Sequence, residues 1–279
     1  MEALRQVEEW PAQTVAVAAV TPGGTAMHGP ADRVLHWASV TKLATALATL
    51  VAAEEGSVDL DEPAGPPGAT VRHLLAHASG LPFEGSQPIA APGRRRIYSN
   101  TGFEVLAAHV AGAAEMPFDE YLRAAVLGPL ELSATLQGTA AAGLHGSLED
   151  LVGLARELLA PSLVASETLV EATSVAFPGL SGVLPGFGKL EPLDWGLGFE
   201  LKDSKPDHWT GTAASARTFG HFGGSGTFLW VDPEAGVACA CLTDLEFGPW
   251  ARGAWPRLAD AVLAASRAHP VDKGLPRVN

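Results

Sequence analysis

Cysteine is scarce in this chain: two in 279 residues, Cys239 and Cys241, too few for a disulfide framework. They alternate with alanine in a strand-like segment, so both thiols point to one face, an awkward geometry for a bond between them. No His or Cys pair lies nearby to complete a metal site, and the two read as small buried side chains. Basic charge is also short. Eighteen Lys and Arg against 31 Asp and Glu leave a net charge of −13, and the only basic cluster is Arg94-Arg95-Arg96, which argues against a nucleic-acid surface or a polybasic membrane patch. No apolar run approaches the roughly 18 residues of a membrane span. The first ten residues are acidic and amphipathic and lack the basic and apolar regions of a secretory leader, so a cytoplasmic protein is expected. Internal repeats and low-complexity segments are missing as well.

What the chain does have is apolar mass: 47% of its residues are hydrophobic, enough for one large domain or two intimately packed ones. It is organised around Trp37-Ala38-Ser39-Val40-Thr41-Lys42-Leu43-Ala44-Thr45-Ala46-Leu47, a Ser-x-x-Lys at the opening of an apolar helical run. Three residues make about one helical turn, so Ser39 and Lys42 project from the same face and the amine can reach the hydroxyl. A serine hydroxyl is a poor nucleophile at neutral pH, and a partly desolvated lysine with a lowered pKa is one of the few bases that activates it. The pattern alone is weak. Fifteen serines and five lysines supply about 0.3 such hits by chance, and the same residues suit a capped helix with an exposed lysine.

Taken in order, residues 2–10 read as a short helix stopped by Pro11, and Val15–Val20 with Thr25–His28 as a hairpin turning at Pro22-Gly23-Gly24. A short segment at Val34–Trp37 leads into the Ser39 helix, which the pattern carries to Glu55 before Gly56. Thr70 caps a short helix ended by Gly80 and Pro82, and further helices are predicted over Gly102–Gly112, Phe118–Val126, from a cap at Gly146–Asp150, and over Ser166–Ala172. Beyond Phe177, glycines and prolines mark loops. Strand-like pieces follow at Gly196–Leu201, Gly226–Val231 and Val237–Leu242, then an amphipathic helix over Pro256–Ala268. Strands at both ends and helices between them predict an α/β (α+β sandwich) fold: an antiparallel sheet flanked by helices, built from residues 1–45 and 177–279, with an inserted helical domain over 46–176 and the active site at their interface.

Three further motifs accompany Ser39 and Lys42: Leu74-Leu75-Ala76-His77-Ala78-Ser79-Gly80-Leu81-Pro82, Tyr98-Ser99-Asn100 and His221-Phe222-Gly223-Gly224. Beside a lysine ammonium, the Tyr98 phenol can lose its proton below its unperturbed pKa of about 10 and shuttle protons between Ser39 and a leaving group. Tyr-Ser-Asn is equally a common loop-to-helix cap. Asn100 can hydrogen-bond an acyl amide carbonyl or bridge Lys42 to the loop. Gly220, Gly223, Gly224 and Gly226 let a strand backbone approach a ligand closely. In this order the four motifs, spanning nearly the whole chain, resemble the serine β-lactamase/penicillin-binding superfamily, in the branch of class C β-lactamases, D-alanyl-D-alanine peptidases and related esterases.

That resemblance implies a covalent acyl-enzyme on Ser39, with Lys42, Tyr98 and His221 catalytic and Asn100, Gly223 and Gly224 binding substrate. The N–H groups of Ser39 and Gly224 would form the oxyanion hole. His221 stands where β-lactamases of the family usually carry lysine; a histidine at a strand end also serves structure alone. No metal or organic cofactor is implied. The expected substrate is a small ester, amide or lactam, with neither nucleic acid nor membrane as partner and the oligomeric state left open. The chain is short for the branch, chiefly after Gly128 and near Phe187–His208, which predicts an open cleft. With no leader read at its start, an intracellular esterase, amidase or acyltransferase is expected ahead of a β-lactamase or D-alanyl-D-alanine carboxypeptidase; a binding protein that kept the fold is the alternative of another class. His73 and His77, four apart, have a spacing that can bind metal but no third ligand, and read as packing. Arg94–Arg96 read as a solvated loop, and Trp195, Trp209, Trp230, Trp250 and Trp255 as core.

Overall fold

The computed structural model describes residues 1–205 and 207–268. A 3-10 segment, Glu2–Glu9, precedes the hairpin β1 (Val15–Thr21) and β2 (Gly24–His28), then β3 (Leu35–His36) and α1 (Thr41–Glu54). There follow α2 (Val71–Leu75), α3 (Asn100–Ala114), α4 (Phe118–Leu122), β4 (Thr135–Leu136), β5 (Leu144–Gly146), α5 (Leu148–Leu159) and α6 (Ser166–Ala172). The last third holds β6 (Gly182–Leu184), β7 (Gly188–Leu190), β8 (Glu200–Leu201), β9 (Phe219–Phe222), β10 (Phe228–Asp232), β11 (Val237–Thr243) and α7 (Pro249–Ala268). Six strands form one antiparallel sheet in the order β2-β1-β11-β10-β9-β8. The predicted α+β architecture with strands from both ends is the observed one.

The sequence shows why the two ends meet. β1 (Val-Ala-Val-Ala-Ala-Val-Thr) and β11 (Val-Ala-Cys-Ala-Cys-Leu-Thr) carry no polar face, the mark of strands covered on both sides. Ala16, Ala18, Leu229, Val231, Ala238 and Ala240 face a core shared with α1, α3 and α5. Val17, Ala19, Phe228, Trp230, Cys239 and Cys241 face a second core under α7 and the amino-terminal 3-10 segment. Both cysteines are buried free thiols. Trp195, Trp209, Trp230 and Trp255 are buried, as read from the sequence. Among the described residues no helix is long and apolar enough to cross a membrane.

Local differences have local causes. α7 starts at Pro249, ahead of the predicted Pro256, which sits inside the helix instead of at its first turn. α3 starts at Asn100 because the Ser99 hydroxyl accepts from Gly102 N at 2.8 Å, and Ser147 closes a capping box with Asp150 at the start of α5. The glycine-rich stretch read as loop contains the hairpin β6–β7, and only Glu200–Leu201 of the predicted Gly196–Leu201 strand pairs. Arg96 overturns the solvated-loop reading. It is 2% exposed and donates to the carbonyls of Ala76, Ala176, Phe177 and Leu193, tying three loops together, while burial lowers its guanidinium to about 10.

Glu200 anchors the sheet edge nearest the site, pairing with Gly220 of β9. It is fully buried; Oε2 receives His208 Nε2 at 2.7 Å and Trp209 Nε1 at 2.9 Å, and Lys205 Nζ lies 2.9 Å from Oε1, off hydrogen-bond geometry. Burial alone would raise this carboxyl, but His208 and Lys205 outweigh it and hold the group down at about 2. Its stabilising share is present above pH 4.5, the unperturbed value, and fades as pH falls towards 2. Glu200→Ala strands a buried lysine and is expected to cost about 3–5 kcal/mol, read by urea unfolding at pH 7; a loss under about 1 kcal/mol would contradict that role.

Candidate active site

Ser39 does not open the α-helix directly. It sits in a 3-10 turn, Ala38–Val40, one step before α1, and Ala38 takes φ +47°, left-handed backbone that an alanine adopts only under constraint. The constraint comes from two sides. Trp37 N donates to Leu144 O at 2.9 Å, while Thr227 and Ser225 donate their hydroxyls to Trp37 O and His36 O at 2.9 and 2.8 Å. Gly223 lets the β9–β10 turn come this close, since a Cβ there would lie 2.6 Å from Trp37 O and 2.9 Å from the Ala38 Cβ. Neither Ser39 N nor Gly224 N has an acceptor within the described residues, so both are free to donate outward.

Lys42, fully buried in α1, places Nζ 3.3 Å from Ser39 Oγ, 2.7 Å from Asn100 Oδ1 and 2.9 Å from Ala141 O. Burial brings its pKa down to about 7, against a smaller upward pull from Glu104. A neutral lysine has two N–H groups and one lone pair. Asn100 and Ala141 take the two hydrogens, which leaves the lone pair for the Ser39 hydroxyl. Asn100 therefore bridges Lys42, one of the two roles its type allowed.

Tyr98 departs from expectation in its acidity. Burial pushes the phenol up, beyond what a hydrogen bond with Ser39 recovers, and Lys42 Nζ lies over its ring, 4.8 Å from the centre. The phenol keeps its proton. His221 shows where that proton points: its Nδ1 is 2.7 Å from Phe222 O, so Nδ1 carries the hydrogen and Nε2 accepts from Tyr98 Oη at 3.4 Å. His221 is neutral, brought to about 3 by burial and by Lys42. In β9 it shares the face of Phe219, towards α1. Phe83, 49% exposed, stacks on Tyr98 at 6.0 Å and presents an apolar surface beside it.

The structure thus brings Ser39, Lys42, Tyr98, Asn100 and His221 into one contact chain, with Gly223 and Gly224 beside the serine turn. His73 and His77 do not share a metal position: His73 bonds Thr70 Oγ1 and packs on Phe177, and among the described residues no three His, Cys, Asp or Glu cluster suitably. Three contributors escaped the sequence reading: the left-handed Ala38, the Ala141 carbonyl and Thr227. Backbone groups and an unexceptional alanine leave no signal in residue type. Thr227 could have been noticed, as a hydroxyl ending the glycine-rich run.

Comparison with known proteins gives the family and the fold. The sequence model of the Beta-lactamase family matches residues 7–264. A crystal structure described as a beta-lactamase, Mb2281c from Mycobacterium bovis, is 50% identical, covers 95% of this chain and 99% of its own, and superposes with a TM-score of 0.93. Simvastatin synthase LovD from Aspergillus terreus, in its LovD6 mutant form, shares the fold at 19% identity and a TM-score of 0.78, covering 95% of this chain and 94% of that one. SurE does so at 21% and 0.75, covering 96% of this chain and 74% of that one. No curated protein matches the sequence significantly. Matched over most of its length by the family model and nearly end to end by a half-identical relative, the chain belongs to the beta-lactamase family.

Proposed function

We propose that the protein is a serine hydrolase or acyltransferase that works on a small ester or amide through an acyl-enzyme on Ser39. The observation that carries this reading is the saturation of Lys42 by Asn100 and Ala141, which aims its remaining valence at Ser39 Oγ. Lys42 takes the Ser39 proton as Oγ attacks the carbonyl. The oxyanion is held by the N–H groups of Ser39 and Gly224. On collapse the bond to the leaving group breaks and Lys42 hands that group the proton it took from Ser39, while the Tyr98 hydroxyl, its own proton held towards His221, presents its oxygen beside Ser39. Water or another acceptor, deprotonated by the same groups, then releases the acyl chain. Segment 46–176 supplies Tyr98, Asn100 and Ala141 and the flanking segments the rest, so we place the site at the seam of two domains over 1–45 with 177–279 and 46–176. Phe83 favours an apolar substrate group beside Tyr98.

The half-identical relative described as a beta-lactamase supports a second reading, hydrolysis of a lactam. Acid-quenching the protein with p-nitrophenyl butyrate, nitrocefin and benzylpenicillin, and mapping adducts by mass spectrometry, separates the two. A butyryl adduct on the Ser39 peptide with ester turnover supports the first reading. Fast nitrocefin turnover without ester turnover moves the substrate to lactams, and a long-lived penicilloyl adduct moves it to a peptidase. Failure of every reagent to modify Ser39 narrows the choice to a substrate too specific for these reagents or a non-catalytic binding protein.

Gly223→Ala tests the serine turn separately. Its new Cβ would meet Thr227 Oγ1 at 2.5 Å and Trp37 O at 2.6 Å, forcing the strand end and the Gly224 N–H away from Ser39. The expected loss is about 10²–10³-fold in kcat with KM little changed, the cost of one oxyanion donor, checked by steady-state ester kinetics.

A further inference from the structure

The motif Leu74–Pro82 has no part in the chemistry above, yet it contains a histidine, His77, that touches the site. His77 follows α2 with its backbone at φ +54° and its side chain 1% exposed. Its carbonyl accepts from Ile97 N at 2.8 Å, and its ring Nδ1 accepts from Ser99 N at 3.1 Å. These are the two residues that flank Tyr98. The ring itself lies against the Tyr98 ring at 4.6 Å between centres, and against Trp195 and Phe103 at 5.1 and 5.2 Å. One residue therefore grips the backbone on both sides of Tyr98 and supports its ring from beneath.

The grip also fixes the imidazole. An Nδ1 that accepts a backbone N–H carries no hydrogen, so the ring's proton is on Nε2, which is buried and has no partner among the described residues. A fold tolerates an unpartnered polar group of this kind only where other demands over-determine it. A second proton would have to enter a space faced by Lys42 of α1, His221 of β9 and Arg96 of the loop leading to α3, and burial with these three groups keeps the ring neutral. Resting on the hydrolase reading above, we propose that His77 is a positioning residue: as a neutral Nε2–H imidazole it clamps Tyr98 between the hydrogen bonds at Ile97 and Ser99, holding the phenol in reach of Ser39 and His221. It acts through Tyr98 and touches no substrate.

The test pairs His77→Ala with His77→Asn in the full chain. Asparagine offers Oδ1 at about the position of Nδ1 and tolerates left-handed backbone; alanine offers no acceptor. Misplacing a catalytic group by about an ångström costs on the order of 100-fold. For p-nitrophenyl butyrate, His77→Ala is expected to lower kcat about 100-fold with KM within about 3-fold, and His77→Asn to recover to within about 5-fold of wild type. Equal kcat values in the two variants, or a loss carried by KM, would overturn the clamp. If His77→Ala fails to melt cooperatively, nitrogen-15 shifts of the wild-type histidine rings decide: the Nε2–H tautomer of His77 is expected from pH 5.5 to 8.5, and an Nδ1–H tautomer or a titration in that range overturns it. Ser39→Ala is the control. Equal turnover by that variant and wild type would sink the hydrolase reading, while the tautomer of His77 would still stand or fall on its own.

Discussion

Ser39→Ala lowers kcat on p-nitrophenyl butyrate by about 10⁴-fold or more, while the thermal melt stays where it is. The first half of this expectation follows from chemistry: among the described residues no other hydroxyl shares the Lys42 contact to inherit the acyl group. The second follows from packing. Ser39 is only half-buried, its hydroxyl pins no backbone, and the turn around it is held by Leu144, Ser225 and Thr227 instead. Steady-state kinetics beside a melting curve reads both. Turnover retained within about 10-fold would mean that Ser39 is not the nucleophile.

Lys42→Met has effects of similar size and opposite sign on activity and on one component of stability. Loss of the base lowers kcat/KM by about 10²–10⁴-fold. In the wild type, kcat/KM rises about tenfold per pH unit below about 7, as Lys42 loses its proton, and levels above it; the variant loses this limb. Stability carries the same proton. Between about 7 in the fold and 10.5 when unfolded, the unfolded chain binds a proton that the native chain has released, so wild-type stability rises with pH across that window. The burial penalty is complete below pH 7 and gone above 10.5. Urea unfolding at pH 7 and pH 9 should show the wild type gaining up to about 1.4 kcal/mol per pH unit over Lys42→Met. A flat difference between the two would mean that Lys42 is not held near neutrality.

The sheet was readable for a definite reason. Val15–Val20 and Val237–Leu242 are apolar throughout, and only strands buried on both faces keep such composition; the structure pairs them directly. Helices opened by hydroxyl caps, Thr70, Ser99 and Ser147, were readable from local chemistry. The misses share a cause too. β8 is two residues long and owes its place to the Glu200 network, assembled from residues up to nine positions away. Arg96, in a triplet of arginines, differs from its exposed neighbours only because three carbonyl-bearing loops converge on it. Nothing in Arg-Arg-Arg says which guanidinium will be inside.

By itself, the sequence determined that a serine and a lysine share one helical face, that Tyr98 and Asn100 open another helix, and that His221 precedes a glycine-rich turn; these are consequences of spacing and residue type. The tertiary structure alone decided what each group is chemically. Lys42 gives up its proton near neutrality because burial removes water from the ammonium, while Asn100 and Ala141, 58 and 99 residues away, leave one direction open. Tyr98 stays a phenol because burial raises its pKa by more than the hydrogen bond with Ser39 lowers it. His221 is an acceptor because its other nitrogen is committed to Phe222 O. Spacing fixes which atoms can meet. Protonation depends on the field and solvent around them, and those exist only once the chain has closed.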